Sequence, residues 1–266
     1  MENTKNPNGN TVSAKDYLEK GDALYNQKDY KSAISAYSNA IHLDSDNARA
    51  YYNRGVAKKN LGQLEEAISD YDEAIRLAPN DARTYNNRGN TKSNLADHEA
   101  AISDFNEAIR LDPNDARAYN NRGVAKKNLG QLEEAISDYD EAIRLDPNDA
   151  RIYNNRGVAK SELGQLEEAI SDYDEAIRLN PKYTNAYYNR GVERIELGEY
   201  FEAISDYNEA IRLDPNDADA YYNRGNAKRN LGHPEAAIPD YDKAIRLDPN
   251  NTRAHASKEK AKKEIK

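Results

Sequence analysis

Six asparagines stand 34 residues apart in this chain: Asn53, Asn87, Asn121, Asn155, Asn189 and Asn223. Four residues before each of the first four stands an arginine: Arg49, Arg83, Arg117 and Arg151. A spacing of four puts each pair on one face of a helix. An asparagine side chain carries one acceptor oxygen and one donor nitrogen, the complement of a peptide bond. A ladder of them suits an extended backbone held without reading its sequence. Arginine adds a rigid fork of donors that fits carboxylates. These ten residues are the candidate peptide groove. Two structural alternatives stand beside that chemistry. The asparagine bonds a neighbouring repeat, or the arginine pairs with an acid of the preceding loop, such as Asp112 or Asp115.

Little else in the sequence has the makings of a reactive site. The four histidines, His42, His98, His233 and His255, fall in different repeats without metal-ligand spacing. The acidic residues read as a solvated outer face. The glycines fall at helix crossings or turns and form no phosphate loop. No enzyme activity, cofactor or metal is expected. The chain has no cysteine, which excludes disulfide and thiolate chemistry. Its net charge of −9 argues against nucleic acid as the main partner. No apolar run approaches the roughly 20 residues of a membrane span. Residues 1–13 lack the apolar core of a signal peptide. A cytoplasmic protein is expected.

The elements that position the ladder follow from the same period. With the recurring proline at position 32 (Pro79, Pro113, Pro147, Pro181, Pro215, Pro249), the repeats span 14–47, 48–81, 82–115, 116–149, 150–183, 184–217 and 218–251. Residues 1–13 read as a disordered lead-in and 252–266 as a capping helix. Each repeat reads as two helices. In the fourth, Leu132, Ala135, Ile136, Tyr139, Ala142 and Ile143 form one apolar stripe, opposed by Glu133, Glu134, Asp138, Asp140 and Glu141. Gly130 supplies a left-handed residue to end the first helix, and Asp149 is placed to cap the next one. A mid-helix glycine at position 8, such as Gly55, costs about 1 kcal/mol against alanine. That cost is tolerated where a second helix crosses closely, with Ala67 opposite and Tyr51 and Tyr71 beside it.

Tyrosine at position 4, glycine at 8, alanine at 20, tyrosine or phenylalanine at 24, alanine at 27 and proline at 32 together resemble the tetratricopeptide repeat, over residues 14–251. The resemblance implies an all-α, right-handed solenoid superhelix with first helices lining the concave side. Two departures stand out. Position 7, often leucine in the family, is arginine from Arg54 to Arg224, and position 11, often aromatic, is basic from Lys58 to Lys228. Their aliphatic stems are expected to cover the core edge while the charges reach water.

The resemblance also frames the partner. It implies a non-enzymatic scaffold that holds an extended, polar or acidic protein segment. A co-chaperone adaptor for acidic chaperone C-termini is an alternative, but the carboxylate clamp of that group is incomplete: no repeat has lysine at position 5, and the first has Leu18 and Asp22 at positions 5 and 9. Self-association of near-identical repeats into a structural element is the third reading. Tyr52, Tyr188 and Tyr222 at position 5, in place of Asn86, Asn120 and Asn154, offer aromatic pockets or inter-repeat packing.

Overall fold

The computed structural model describes residues 12–265; most of the lead-in expected at 1–13 lies outside them. Fifteen α-helices and no strand occur among the described residues. They are α1 (Ala14–Asn26), α2 (Tyr30–Leu43), α3 (Ala48–Asn60), α4 (Leu64–Leu77), α5 (Ala82–Asn94), α6 (His98–Leu111), α7 (Ala116–Asn128), α8 (Leu132–Leu145), α9 (Ala150–Glu162), α10 (Leu166–Leu179), α11 (Thr184–Glu196), α12 (Tyr200–Leu213), α13 (Ala218–Asn230), α14 (Pro234–Leu247) and α15 (Thr252–Glu264). The chain is an all-α repeat solenoid. It divides into two compact units, the first ending at Gln131 after α7 and the second opening at Leu132 with α8.

Local chemistry sets the ends of each helix. Asp81, Asp115 and Asp149 accept the backbone N–H two residues on, which caps α5, α7 and α9. Glu65 and Glu66 in the first turn of α4, and Arg76 in its last, complement the helix dipole. The first helices end on a left-handed residue, glycine at Gly62, Gly130, Gly164, Gly198 and Gly232. Lys28 and Ala96 take the same conformation without being glycine, both at φ 62°. α14 runs unbroken through Pro239, although that proline removes one backbone donor.

The core of each unit is alanine and aromatic rings. Tyr71, Phe105, Tyr139, Tyr207 and Tyr241 are wholly buried. The mid-helix glycines exist chiefly for these rings. A Cβ on Gly55 would lie 2.8 Å from Tyr71 Cε1 and 3.2 Å from the Ala67 carbonyl oxygen; one on Gly89 would lie 2.8 Å from Phe105 Cε1. The close approach is therefore to the ring first and to the alanine backbone second.

In the first unit α1, α3, α5 and α7 touch in succession, as do α9, α11, α13 and α15 in the second, whereas within each unit the second helices of successive repeats do not touch one another among the described residues. Each unit therefore curves with its first helices on the inside. On the last of them, Ala254 and Ala261 are fully buried and Ile265 is 36% exposed.

The basic residues at positions 7 and 11 depart from expectation. Their side chains are largely withdrawn from water and engaged by a carboxylate. Arg54 meets Asp70 through Nε (2.9 Å) and Nη2 (2.7 Å), and Lys58 lies 2.7 Å from the same carboxylate. The arrangement recurs as Arg88–Asp104–Lys92, Arg156–Asp172–Lys160, Arg190–Asp206–Arg194 and Arg224–Asp240–Lys228. These aspartates, and Asp138 with them, are buried rather than part of the solvated acidic face. The third prong of each arginine reaches back one repeat: Arg88 to Asp72 and Arg156 to Asp140, each at 2.6 Å, Arg122 to Asn106 at 2.7 Å, and Arg190 to Asp174. A buried carboxylate needs partners. Only a long, forked cation reaches both its own repeat and the one before.

Candidate functional site

All ten predicted groove residues lie on first helices, with the asparagines half-buried and the arginines exposed. The asparagines do not stand free. Asn87 Nδ2 donates to the Tyr52 hydroxyl at 2.9 Å, Asn121 to Asn86 Oδ1 at 3.1 Å, Asn189 to Asn154 Oδ1 at 3.1 Å, and Asn223 to the Tyr188 hydroxyl at 3.0 Å. Each donor thus ties its repeat to position 5 of the one before. Asn155 occupies the equivalent place on α9.

The first repeat needs a different acceptor, since its position 5 is Leu18. Asp22, one turn further along α1, takes that role. Its Oδ1 accepts from Asn53 Nδ2 at 2.8 Å and from the Tyr37 hydroxyl at 2.9 Å; its Oδ2 accepts from Arg49 Nη2 at 2.6 Å. A carboxylate has no donor, so the Asn53 nitrogen must face it.

The arginines pair with aspartates. Arg117 lies 3.0 Å from Asp115 and Arg151 2.5 Å from Asp149, with Arg83 on Asp81 at 3.0 Å. Asp115 is the acid anticipated for Arg117; Asp112 instead accepts a backbone N–H from Asn114. The hydrogen bonds that the arginines donate to these aspartates hold the guanidiniums above the usual arginine range. The pairs leave the cations accessible: the side chains of Arg83, Arg117 and Arg151 are each 69% exposed. Surface pairs of this kind are worth about 1 kcal/mol or less, so a stronger anion displaces them readily.

Sequence reasoning missed two contributors, Asp22 and Lys59. Lys59 is half-buried, and the acceptor it meets is Asn87 Oδ1 at 3.4 Å. Burial alone depresses its ammonium below the usual lysine range. The same place holds Tyr25 and Ser93 in the first and third repeats and Lys127 in the fourth, so nothing in the sequence singled it out. The histidines gather nowhere: among the described residues no three His, Asp or Glu side chains cluster as a metal site. No described helix is long and apolar enough to cross a membrane.

The helix pairs, the glycine–ring contacts and the recurring caps define a helix-pair repeat module. Models of the TPR repeat match residues 21–62, 97–130, 127–164 and 193–232, and tetratricopeptide repeat models match 48–81, 150–183, 218–251 and 70–103. The chain belongs to the tetratricopeptide repeat family. Among solved structures it resembles YrrB, a TPR protein with an unusual peptide-binding site, at 28% identity and a TM-score of 0.60 over 71% of this chain and 97% of that one. It resembles MamA at 26% identity and a TM-score of 0.58, over 65% of this chain and 94% of MamA. A tetratricopeptide repeat protein from Parabacteroides merdae shares the fold at 20% identity, with a TM-score of 0.71 over 94% and 98% of the two chains. Comparison with curated proteins gives no match.

Proposed function

We propose that the chain is a non-enzymatic scaffold that holds an extended, polar or acidic partner segment along the first helices of its repeats. The observation that carries this reading is the row of exposed guanidiniums. The cations at position 7 are sunk into ion triads, whereas Arg83, Arg117 and Arg151 keep most of their surface in water. Weakly paired arginines beside half-buried amides suit carboxylates and peptide backbone. The likeness to YrrB, itself a peptide binder, supports the same class of ligand.

The asparagines carry a mixed role in this reading. The nitrogens of Asn53, Asn87, Asn121, Asn189 and Asn223 tie each repeat to the one before, and an amide oxygen, which accepts two hydrogen bonds, keeps capacity for a ligand N–H even where Lys59 or Asn120 already donates to it. The test is a peptide-array selection on the full chain, repeated with Arg117→Ala/Arg151→Ala and with Asn121→Ala/Asn155→Ala. Loss of the selected peptides in the arginine variant is the expected outcome. Binding unchanged in both variants overturns the groove.

A further inference from the structure

The first unit holds a feature that the regular ladder does not account for. Two depressions adjoin Tyr52. One, of about 680 Å³, is lined by Tyr25, Tyr37, Tyr52 and Asp22 among others. The other, of about 510 Å³, is lined by Ala74, Ala78 and Pro79 with Tyr52. Arg49 and Arg83 border both. Each is of a size that admits a side chain with room for solvent.

Tyr52 is held rigidly between them. Its hydroxyl accepts from Asn87. Its ring lies 6.2 Å from that of Tyr71, centre to centre, and the Arg83 guanidinium sits over it at 5.6 Å. A ring already fixed by its own contacts loses little freedom when a guest packs on it. Asp81 engages Arg83 through Nε and Nη2, and Asp22 engages Arg49 through Nη2. Nη1 of both arginines makes no hydrogen bond among the described residues. Lys59 adjoins the same wall through Asn87, and no carboxylate lies within ion-pair distance of it among the described residues. Arg49 and Arg83 therefore border the aromatic post beside two carboxylates, Asp22 and Asp81, and the half-buried Lys59, linked to the post through Asn87, adds a cation with no carboxylate of its own. An incoming anion gains most from such an arrangement.

The second unit offers a contrast. Its depression of about 400 Å³, beside Tyr188 and Tyr222, is lined by Glu196 as well as Arg229. Asp219 there replaces the arginine of position 2 and is taken up by Arg253 at 3.2 Å. That site is aromatic without an excess of positive charge.

We propose that the first three repeats carry the anchor of the groove: an extended peptide lays two alternate side chains on either side of Tyr52, one aromatic and one carboxylate, with Arg49, Arg83 and Lys59 taking the negative charge. Alternate side chains of an extended chain fall on the same side, about 7 Å apart, which suits depressions separated by one ring. The proposal rests on the groove reading and goes beyond it by fixing the place and the pair of side chains recognised.

Fluorescence anisotropy with capped, amidated hexapeptides tests it on the full chain. The probes contain Glu-Ala-Tyr or Tyr-Ala-Glu, with Lys-Ala-Tyr and Glu-Ala-Ser as comparisons. At least one of the first two binds about tenfold more tightly than either comparison, the worth of one good charged or aromatic contact. Arg83→Gln weakens that peptide several-fold and leaves the lysine probe unchanged; Tyr52→Ala removes the preference for the aromatic residue. A far-UV melt accompanies each variant, and Lys59→Gln provides a second probe should Tyr52→Ala fail to fold. Equal binding of glutamate and lysine probes overturns the proposal, as does no binding by any probe, or indifference to Arg83→Gln. Array-selected peptides that depend on Arg117 and Arg151 but ignore Tyr52 and Arg83 overturn the anchor while leaving the groove intact.

Discussion

Arg88 grips Asp104 with both prongs of its guanidinium, Nε at 2.9 Å from one carboxylate oxygen and Nη2 at 2.6 Å from the other. Lys92 completes the triad at 2.8 Å, and Arg88 also spans to Asp72 of the preceding repeat at 2.6 Å. The two aspartates differ sharply in setting: the side chain of Asp104 is 5% exposed and that of Asp72 is 54% exposed. Removing one partner of a buried pair leaves the other charge uncompensated, at a cost of about 3 kcal/mol or more. A surface pair costs under about 1 kcal/mol. Asp104→Ala is therefore expected to lower the urea midpoint far more than Asp72→Ala. Equal shifts would show that the internal triad contributes no more than a surface ion pair.

Ala96 and Lys28 occupy the left-handed turn that glycine fills in five other repeats. A Cβ in that conformation costs about 1 kcal/mol. Glycine pays an entropic penalty in the unfolded chain, but strain at positive φ outweighs it. Ala96→Gly is expected to stabilise the chain by a few tenths to about 1 kcal/mol, measured by thermal melting. Gly164→Ala, at φ 78°, should destabilise by a comparable amount. A destabilised Ala96→Gly variant would mean that the turn is unstrained as it stands.

These two cases mark what the sequence made legible. The period, the cap at Asp149, the left-handed Gly130 and the aromatic at position 24 all follow from local rules that act within a few residues. The helix order is legible for the same reason. The roles of Arg54 and Asp70 were not. Both read as surface charge, because helical periodicity places a residue on a face but does not say which neighbouring side chain fills that face. Their contact depends on two helices meeting, 16 residues apart in sequence. The groove shows the same limit. Asn53 and Asn87 were visible as a ladder, but whether their amides face a ligand or Asp22 and Tyr52 depends on the distance between successive repeats. Leu18, an irregularity at position 5, was the clue that Asp22 must serve as acceptor.

Glu193 replaces an alanine or threonine found at the same place in the other repeats and is 5% exposed. Ser161 Oγ donates to it at 2.7 Å, across to the preceding repeat. Burial raises its carboxyl above the ordinary 4.5, the Ser161 bond opposes that, and the nearby Glu196 adds to it. The folded state therefore holds a proton that the unfolded chain has released. The favourable contribution is complete below about pH 4.5 and is lost as pH rises through the folded value. Glu193→Gln keeps the shape and cannot ionise. Its urea midpoint should match that of the wild type near pH 4 and exceed it near pH 8. A constant difference between the two at both pH values would exclude ionisation of Glu193 as the source.

Asn121 and Asn86 provide the cleanest separation of tying from gripping. Asn121 Nδ2 donates to Asn86 Oδ1 across two repeats, and Asn86 is 8% exposed. A hydrogen bond in this setting contributes about 1 kcal/mol, and an orphaned buried acceptor costs somewhat more. Asn121→Ala and Asn86→Ala should each destabilise the chain, and the double variant should cost less than their sum by about 1 kcal/mol. That coupling measures the tie alone. Peptide binding reads the other role, since Asn121 is one of the proposed groove residues and Asn86 is its buried partner. If Asn121→Ala and Asn86→Ala weaken a selected peptide equally, the asparagine acts only by setting the spacing between repeats. If Asn121→Ala weakens it several-fold more, the Asn121 oxygen contacts the ligand. The proposed groove expects the second result, because the nitrogen is committed to Asn86 and the oxygen, which accepts one 3.4 Å bond from Asn120, keeps capacity for a second donor.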